Sequence, residues 1–128
     1  MGEIKFERIS SGIESVTFSL VEIEENIALK GNFKIEVNKE NSELLRLVAR
    51  IELYKDKSDD CFMKLEYYGI YKTDNQDPDL VLKDVENASD LLRDILPAVN
   101  NVMTVITTEG LGAPIELPEA ISEIDKEF

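Results

Sequence analysis

The sequence predicts an α+β fold, a four-stranded antiparallel sheet (a meander) with a long helix and a short C-terminal helix packed on one face. Between residues 27 and 72, apolar and polar residues alternate in runs separated by short clusters of turn residues, which is typical of antiparallel strands. Between residues 91 and 106, apolar residues recur every three or four positions, which indicates an amphipathic helix. The 128 residues fit a single domain, 1–128, large enough to bury a core without disulfides or metal.

Three strands are predicted at residues 27–38, 44–55 and 61–72, with turns at 39–42 and 56–60. Because successive side chains in a strand point to opposite faces, each run directs every second residue inward. The inward residues are Ile27, Leu29, Phe33, Ile35, Val37, Leu45, Leu47, Ala49, Ile51, Leu53, Cys61, Met63, Leu65 and Tyr67. Cys61 is interpreted as a small core residue, since no histidine is present to activate its thiol.

A fourth strand is predicted near the N-terminus. Ile4 and Phe6 precede a break at residues 10–12, and an apolar run follows at 16–23. This run allows more than one interpretation, including a segment that lies across the outer face of the sheet.

After a polar loop at residues 73–79, the long helix is expected to begin with Asn87 or Ser89 as its N-cap and to end at Gly110. Pro97 lies inside it and is expected to kink it. Gly110 and Gly112 are interpreted as a C-cap and a bend. The short tail helix opens at Pro118, in a position that suits the first turn of a helix.

The long helix has an uncharged outer face, because residues 95–108 contain no ionisable side chain. A solvated face normally carries Lys and Glu, so we expect a second copy of the chain to cover it. The alternative is that other layers of the same chain bury it. The outer face comprises Ala98, Asn100, Asn101, Thr104, Thr107 and Thr108, and the expected oligomer interface comprises Ala98, Asn101, Thr104 and Thr108.

The sheet face turned away from the helix also carries more apolar residues than solvent exposure would suggest. Alternation places Leu44, Val48, Tyr54, Phe62, Tyr68 and Ile70 there. A contiguous apolar patch usually meets a partner, since each large side chain left in water forfeits roughly 1.5–3 kcal/mol of burial energy. The occupant could be a partner subunit, a client peptide or the segment 16–23 of the same chain.

Composition argues against several classes of protein. The net charge of −13 opposes contact with nucleic acids and anionic membranes. The chain has no histidine, so no catalytic residue, metal ligand set or cofactor site is predicted, and we expect the protein not to be an enzyme. The acidic residues Asp74, Asp77 and Asp79 are interpreted as a solvated loop. With neither a signal peptide nor a membrane span, the expected location is the cytoplasm.

Three segments resemble the SecB export chaperone family, over roughly residues 6–121. FERISS resembles the first strand of the family, followed by a short segment that contains Phe18. CFMKLEYYGIY resembles its last strand, which ends in Gly-Ile-aromatic. ILPAVNNVMTVITTEGLGAPIELPEAI resembles its long helix with an internal proline, followed by the Leu-x-Pro segment that leads into the final helix.

The resemblance implies a homo-oligomer, a dimer or tetramer, that holds non-native polypeptides without ATP and delivers them to the SecA motor. It adds Phe18 to the residues of the outer sheet face as expected client contacts. Ser19 and Lys64 stand where acidic residues for SecA docking are expected, which argues against direct delivery. SecB-like proteins also serve as chaperones of antitoxins, so an antitoxin is an alternative client. The competing hypothesis is an oligomeric adaptor that binds one folded partner through the same sheet surface.

Overall fold

The computed structural model describes residues 3–19, 27–55 and 61–112, and it confirms the predicted α+β class. Four strands are followed by one short 3₁₀ turn, Leu82–Asp84, and one long helix. The strands are β1 (Phe6–Phe18), β2 (Ile27–Val37), β3 (Leu44–Lys55) and β4 (Cys61–Thr73), and the helix is α1 (Ala88–Leu111). The predicted tail helix lies outside the described residues.

The four strands form one antiparallel sheet in the order β1-β4-β3-β2. Strands β2, β3 and β4 form the predicted meander. The first strand does not extend this meander beside β2 but pairs with β4, which gives the strand order of a Greek key. Strands β1 and β2 are therefore the two edges of the sheet.

Strand β1 is continuous over 13 residues, so the predicted break at residues 10–12 is wrong. Its register against β4 shifts between Arg8 and Ser10 and again between Ile13 and Ser15. Each shift is a β-bulge that inserts one residue without ending the pairing. Residues 16–18 consequently pair with β4 and do not cross the outer face, and residues 20–23 lie outside the described chain.

The core lies between α1 and the inner face of the sheet, and it contains most of the predicted inward residues. Cys61 is an exception, because it is exposed. Met63 pairs with Leu53, but Cys61 pairs with Tyr54, so Phe62 is an extra residue in the ladder. This one-residue slip turns Cys61 outward and leaves Phe62 only 3% exposed. The predicted inward Cys61 and outward Phe62 are therefore both wrong.

The ends of α1 are close to the predicted ones. Asn87 occupies the N-cap position but makes no side-chain cap bond. Its side-chain amide instead accepts a hydrogen bond from the backbone N–H of Ile4 (2.9 Å) and donates one to the carbonyl of Ile4 (2.7 Å), which ties the N-terminal segment to the start of the helix. The C-cap is Gly112, whose φ of 81° favours glycine. The helix continues through Pro97.

The orientation of α1 on the sheet follows from contacts near its two ends. Close to its start, Asp94 lies beside Arg8 of β1, with 3.6 Å between Arg8 Nε and Asp94 Oδ2. In its last turn, Gly110 lies against the ring of Phe18 so closely that an added methyl group would overlap the ring. The helix therefore runs in the same direction as β1, and glycine at position 110 allows the close contact.

Candidate interaction surfaces

Exposed large apolar side chains concentrate on strand β1 and on helix α1. Ile9, Ile13 and Val16 of β1 are 53%, 49% and 42% exposed, and Val105 of α1 is 63% exposed. Among the described residues only Val81 joins them, at 37%. Single exposed apolar residues are common on protein surfaces, but three on one edge strand form a patch. We call Ile9, Ile13 and Val16 the β1 patch.

One stripe of α1 borders the β1 side of the sheet. Asp94, Ala98, Asn101 and Val105 follow one another at spacings of four, three and four residues, so they share a helix face. Asp94 contacts Arg8 of β1, which shows the direction in which this face points. We call the four residues the α1 stripe, and it includes Val105, which the sequence analysis did not identify.

The four predicted interface residues of α1 differ in how far their side chains are exposed. Asn101 and Thr108 are exposed, whereas Ala98 and Thr104 are half-buried. Thr107 was also expected on the outer face and is fully buried instead. Its hydroxyl donates a hydrogen bond to the carbonyl of Met103 at 2.8 Å, and this bond satisfies the polar group inside the core.

On the outer face of the sheet, four apolar residues of β3 and β4 are neighbours. Val48 pairs with Tyr68. On the same face, Ile70 lies two residues from Tyr68 along β4, and Leu44 lies four residues from Val48 along β3. Leu44, Tyr68 and Ile70 are half-buried, while Val48 is only 2% exposed. We call these four residues the outer cluster.

The other predicted client contacts lie outside this cluster. Tyr54 is half-buried near the far end of β3, where it pairs with Cys61. Phe18 and Phe62 pack edge to face, with 6.3 Å between their ring centroids, and both belong to the helix side of the protein. The seven predicted contacts therefore do not form one surface.

Arg46 reaches across the outer face from β3. Its Nη2 lies 2.7 Å from Oε2 of Glu14 in β1, and its Nη1 lies 2.9 Å from Oε1 of Glu36 in β2. The guanidinium carbon is 5.3 Å from the ring centroid of Tyr68. Burial lowers the pKa of Arg46, but hydrogen bonds to Glu36 and Glu14 outweigh that effect and raise it overall. One cation thus links the two edge strands across the outer cluster.

Two pockets lie on either side of the C-terminal end of β2. One, of about 250 Å³, is lined chiefly by Glu36, Val37, Leu44, Leu45, Arg46 and Ile70. The other, of about 390 Å³, lies between the end of β2 and residues 78–81. Because Glu36 and Val37 line both pockets, an extended chain placed along this edge could direct alternate side chains into them.

Several polar and acidic side chains of the described residues make hydrogen bonds within the fold. Tyr71 is fully buried and donates a hydrogen bond to Asp94 at 2.8 Å, and burial together with this bond raises the pKa of Tyr71. In the predicted acidic loop, Asp74 and Asp77 accept hydrogen bonds from backbone N–H groups. The described residues contain no group of three or more potential ligands that could hold a metal ion. None of the helices described is long and apolar enough to cross a membrane.

Comparison with solved structures shows that the chain has a SecB-like fold. It resembles the Mycobacterium tuberculosis SecB-like chaperone Rv1957, solved in complex with a ChAD peptide from the HigA1 antitoxin Rv1956. The TM-score is 0.68 at 9% sequence identity, over 90% of this chain and 87% of the other. A Streptococcus agalactiae protein of unknown function gives a TM-score of 0.48 at 15% identity, over 90% and 98% of the two chains. No family model and no curated protein matches the sequence.

Proposed function

We propose that the protein is an ATP-independent holdase chaperone that binds non-native polypeptides. The observation that carries the proposal is the SecB-like fold, because one similar solved structure is that of a SecB-like chaperone in complex with a peptide. The apolar residues left exposed on this chain support it, since holding an unfolded segment requires apolar surface that the chaperone does not bury itself. The net charge of −13 would keep such a protein soluble.

For client binding, the outer cluster and the pockets beside β2 form the proposed site. Leu44 and Ile70 line the 250 Å³ pocket, where a client side chain could be buried. An extended client could also hydrogen-bond to the edge of β2 that pairs with no strand among the described residues, as peptides do when they add a strand to a sheet. Phe18 and Phe62 pack against each other, so their proposed role becomes support of the helix end.

For assembly, we propose that a second copy of the chain covers the β1 patch and the α1 stripe. Both are uncharged apart from Asp94, which is already paired with Arg8. We do not propose contact with SecA, because the two positions where acidic docking residues are expected hold Ser19 and Lys64. Ser19 is uncharged, and the Nζ of Lys64 lies 3.7 Å from Oε2 of Glu52 on the outer face. The client could be an export-bound chain or an antitoxin in the cytoplasm.

The direct test is suppression of aggregation. A chemically denatured, unrelated substrate is diluted into buffer with an equimolar amount of the protein, and light scattering is followed. The proposal predicts reduced scattering without ATP, and unchanged scattering would refute general holdase activity.

Ile70→Asp should weaken suppression, because it puts a charge into the proposed pocket. Ala28→Asp is a matched control, since it adds the same charge at an exposed position of the same face, eight residues along β2 from Glu36 of the pocket.

The second candidate is an oligomeric adaptor that binds one folded partner and no unfolded chains. The ion pairs of Arg46 favour it, because they cover part of the apolar surface on which a general chaperone would depend. The same scattering experiment separates the two functions. An adaptor leaves aggregation of an unrelated substrate unchanged.

A further inference from the structure

The burial of Val48 is unexpected from its position in the sheet. It lies on the face opposite α1, and yet its side chain is 2% exposed. Neighbouring strands provide Lys34 on one side and Tyr68 on the other. Arg46 is two residues away on the same face, and its guanidinium extends over Tyr68. Long polar side chains of the sheet itself therefore cover the middle of the outer face.

Arg46 is held over the cluster by groups from three other strands. Glu14 reaches it from the second bulge of β1, where the register shift leaves that residue without a partner in the ladder. Glu36 reaches it from β2, and Tyr68 lies beneath it on β4. An arginine side chain can cover apolar surface with its methylene groups while its charged head remains paired. The second bulge of β1 therefore places the Glu14 carboxylate next to the guanidinium of Arg46.

These ion pairs are of the kind that salt weakens. The side chains of both Glu14 and Glu36 are 49% exposed, and that of Arg46 is 29% exposed. Pairs at this exposure are individually weak, and dissolved ions screen them. By contrast, the apolar contacts of Leu44, Val48 and Ile70 do not depend on screening. Ionic conditions can therefore change the cover without unfolding the sheet.

We propose that Arg46 acts as a lid on the outer cluster, and that loss of its contacts with Glu14 and Glu36 opens the cluster to apolar side chains of a non-native chain. The proposal rests on the proposed chaperone function for the identity of the occupant. The lid itself depends only on the geometry of the outer face. In its closed state the protein limits its own exposed apolar area, and in its open state it adds a binding surface next to the 250 Å³ pocket.

The test uses Nile red, a neutral dye whose fluorescence rises on apolar surfaces. Arg46→Gln, Glu14→Gln and Glu36→Gln are compared with the parent protein, and Lys64→Gln is the control. Lys64 also pairs with a glutamate on the outer face, but it lies four residues from Tyr68 along β4. The proposal predicts a several-fold rise in fluorescence for Arg46→Gln, a smaller rise for each glutamate variant and the parental value for Lys64→Gln. Far-UV circular dichroism should be unchanged throughout.

Salt provides a second measurement on the same proteins. Raising the salt concentration should increase dye binding to the parent protein towards the level of Arg46→Gln, while that variant changes little. Parental dye binding by a folded Arg46→Gln protein would overturn the proposal. If that variant does not fold, parental dye binding by both glutamate variants would overturn it instead. A lid response in a protein that fails to suppress aggregation would leave the lid standing and refute only the chaperone function.

Discussion

The two edge strands of the sheet, β1 and β2, differ in the side chains that they expose. Within residues 3–19, 27–55 and 61–112, each of them pairs with a neighbour on one side only, so each presents backbone groups that another strand could bind. On β2, the exposed positions are Ala28, Lys30 and Glu36, and charged side chains discourage such pairing. On β1, the exposed residues include Ile9, Ile13 and Val16.

This difference indicates which edge is suited to permanent contact. Strand β1 also exposes Glu7, Arg8 and Glu14 and carries two β-bulges, which protect an edge, so the contact expected there is with its three exposed apolar side chains. The side chains of β1 on the outer face are also small, with Ser10, Gly12, Ser15 and Thr17 facing β4 residues, so a neighbour can approach closely. We therefore expect β1 to contact a second copy and β2 to remain accessible.

The largest effect is expected from a charge on the β1 patch. Ile13→Lys should dissociate the assembly. A two-fold interface contains the changed side chain twice, and because Ile13 is 49% exposed in one copy, the two together lose roughly 1.5–3 kcal/mol of burial energy and place two charges in the contact. Light scattering coupled to size exclusion would show the lower mass. Ala28→Lys places the same residue on β2 and should leave the mass unchanged. Equal loss of mass in both variants would remove the distinction between the edges.

A smaller effect is expected where β1 is anchored to the end of α1. Gly110→Ala should lower the free energy of unfolding by about 1–3 kcal/mol, because the new methyl group overlaps the Phe18 ring. Denaturant unfolding of Gly110→Ala, Phe18→Leu and the double variant would measure the coupling. The double variant should be less destabilised than the sum of the two single variants. Strict additivity would show that Phe18 is not the source of the strain.

The hydrogen bond between Tyr71 and Asp94 gives a prediction with a pH dependence. Tyr71→Phe should cost about 1–1.5 kcal/mol, since it removes one buried hydrogen bond. Because the pKa of Tyr71 is raised in the folded state, the stability that Tyr71 contributes is fully present below the unfolded pKa of 10.0. This stability is lost as the pH rises above that value. The loss should approach about 1.4 kcal/mol per pH unit. Unfolding curves at pH 8 to 11 should therefore show a shallower alkaline decline for Tyr71→Phe than for the parent, and equal declines would contradict this assignment.

The smallest effect on stability is expected from removing a protective charge on β2. Lys30→Ile should change the free energy of unfolding by less than about 0.5 kcal/mol, as is usual for exposed positions. The association of this variant should nevertheless become concentration dependent, because the edge of β2 would then expose an apolar side chain, as β1 does. Sedimentation over a range of concentrations would detect this. A variant that stays at the parental mass throughout would show that Lys30 does not protect the edge.

Alternation and helical periodicity were sufficient to predict the class of fold and most of the core. They could not locate the bulges, because an inserted residue changes the side-chain direction only after the pairing register is known. Cys61 and Phe62 were therefore assigned to the wrong faces. Thr107 was predicted to lie on the outer face of α1, but it is buried, because its hydroxyl donates a hydrogen bond to the carbonyl of Met103 within the helix. The bond between Arg46 and Glu14 joins residues on nonadjacent strands, and alternation carries no information about it.

The central claim is that the apolar surface of β1 and α1 exceeds what one copy buries and is used for contact. The most direct measurement is the mass of the purified protein in solution by multi-angle light scattering. The account predicts a dimer or a tetramer of the 14.5 kDa chain that dissociates when Ile13 is changed to Lys. A stable 14.5 kDa monomer at all concentrations, with Ile13 freely accessible, would contradict it.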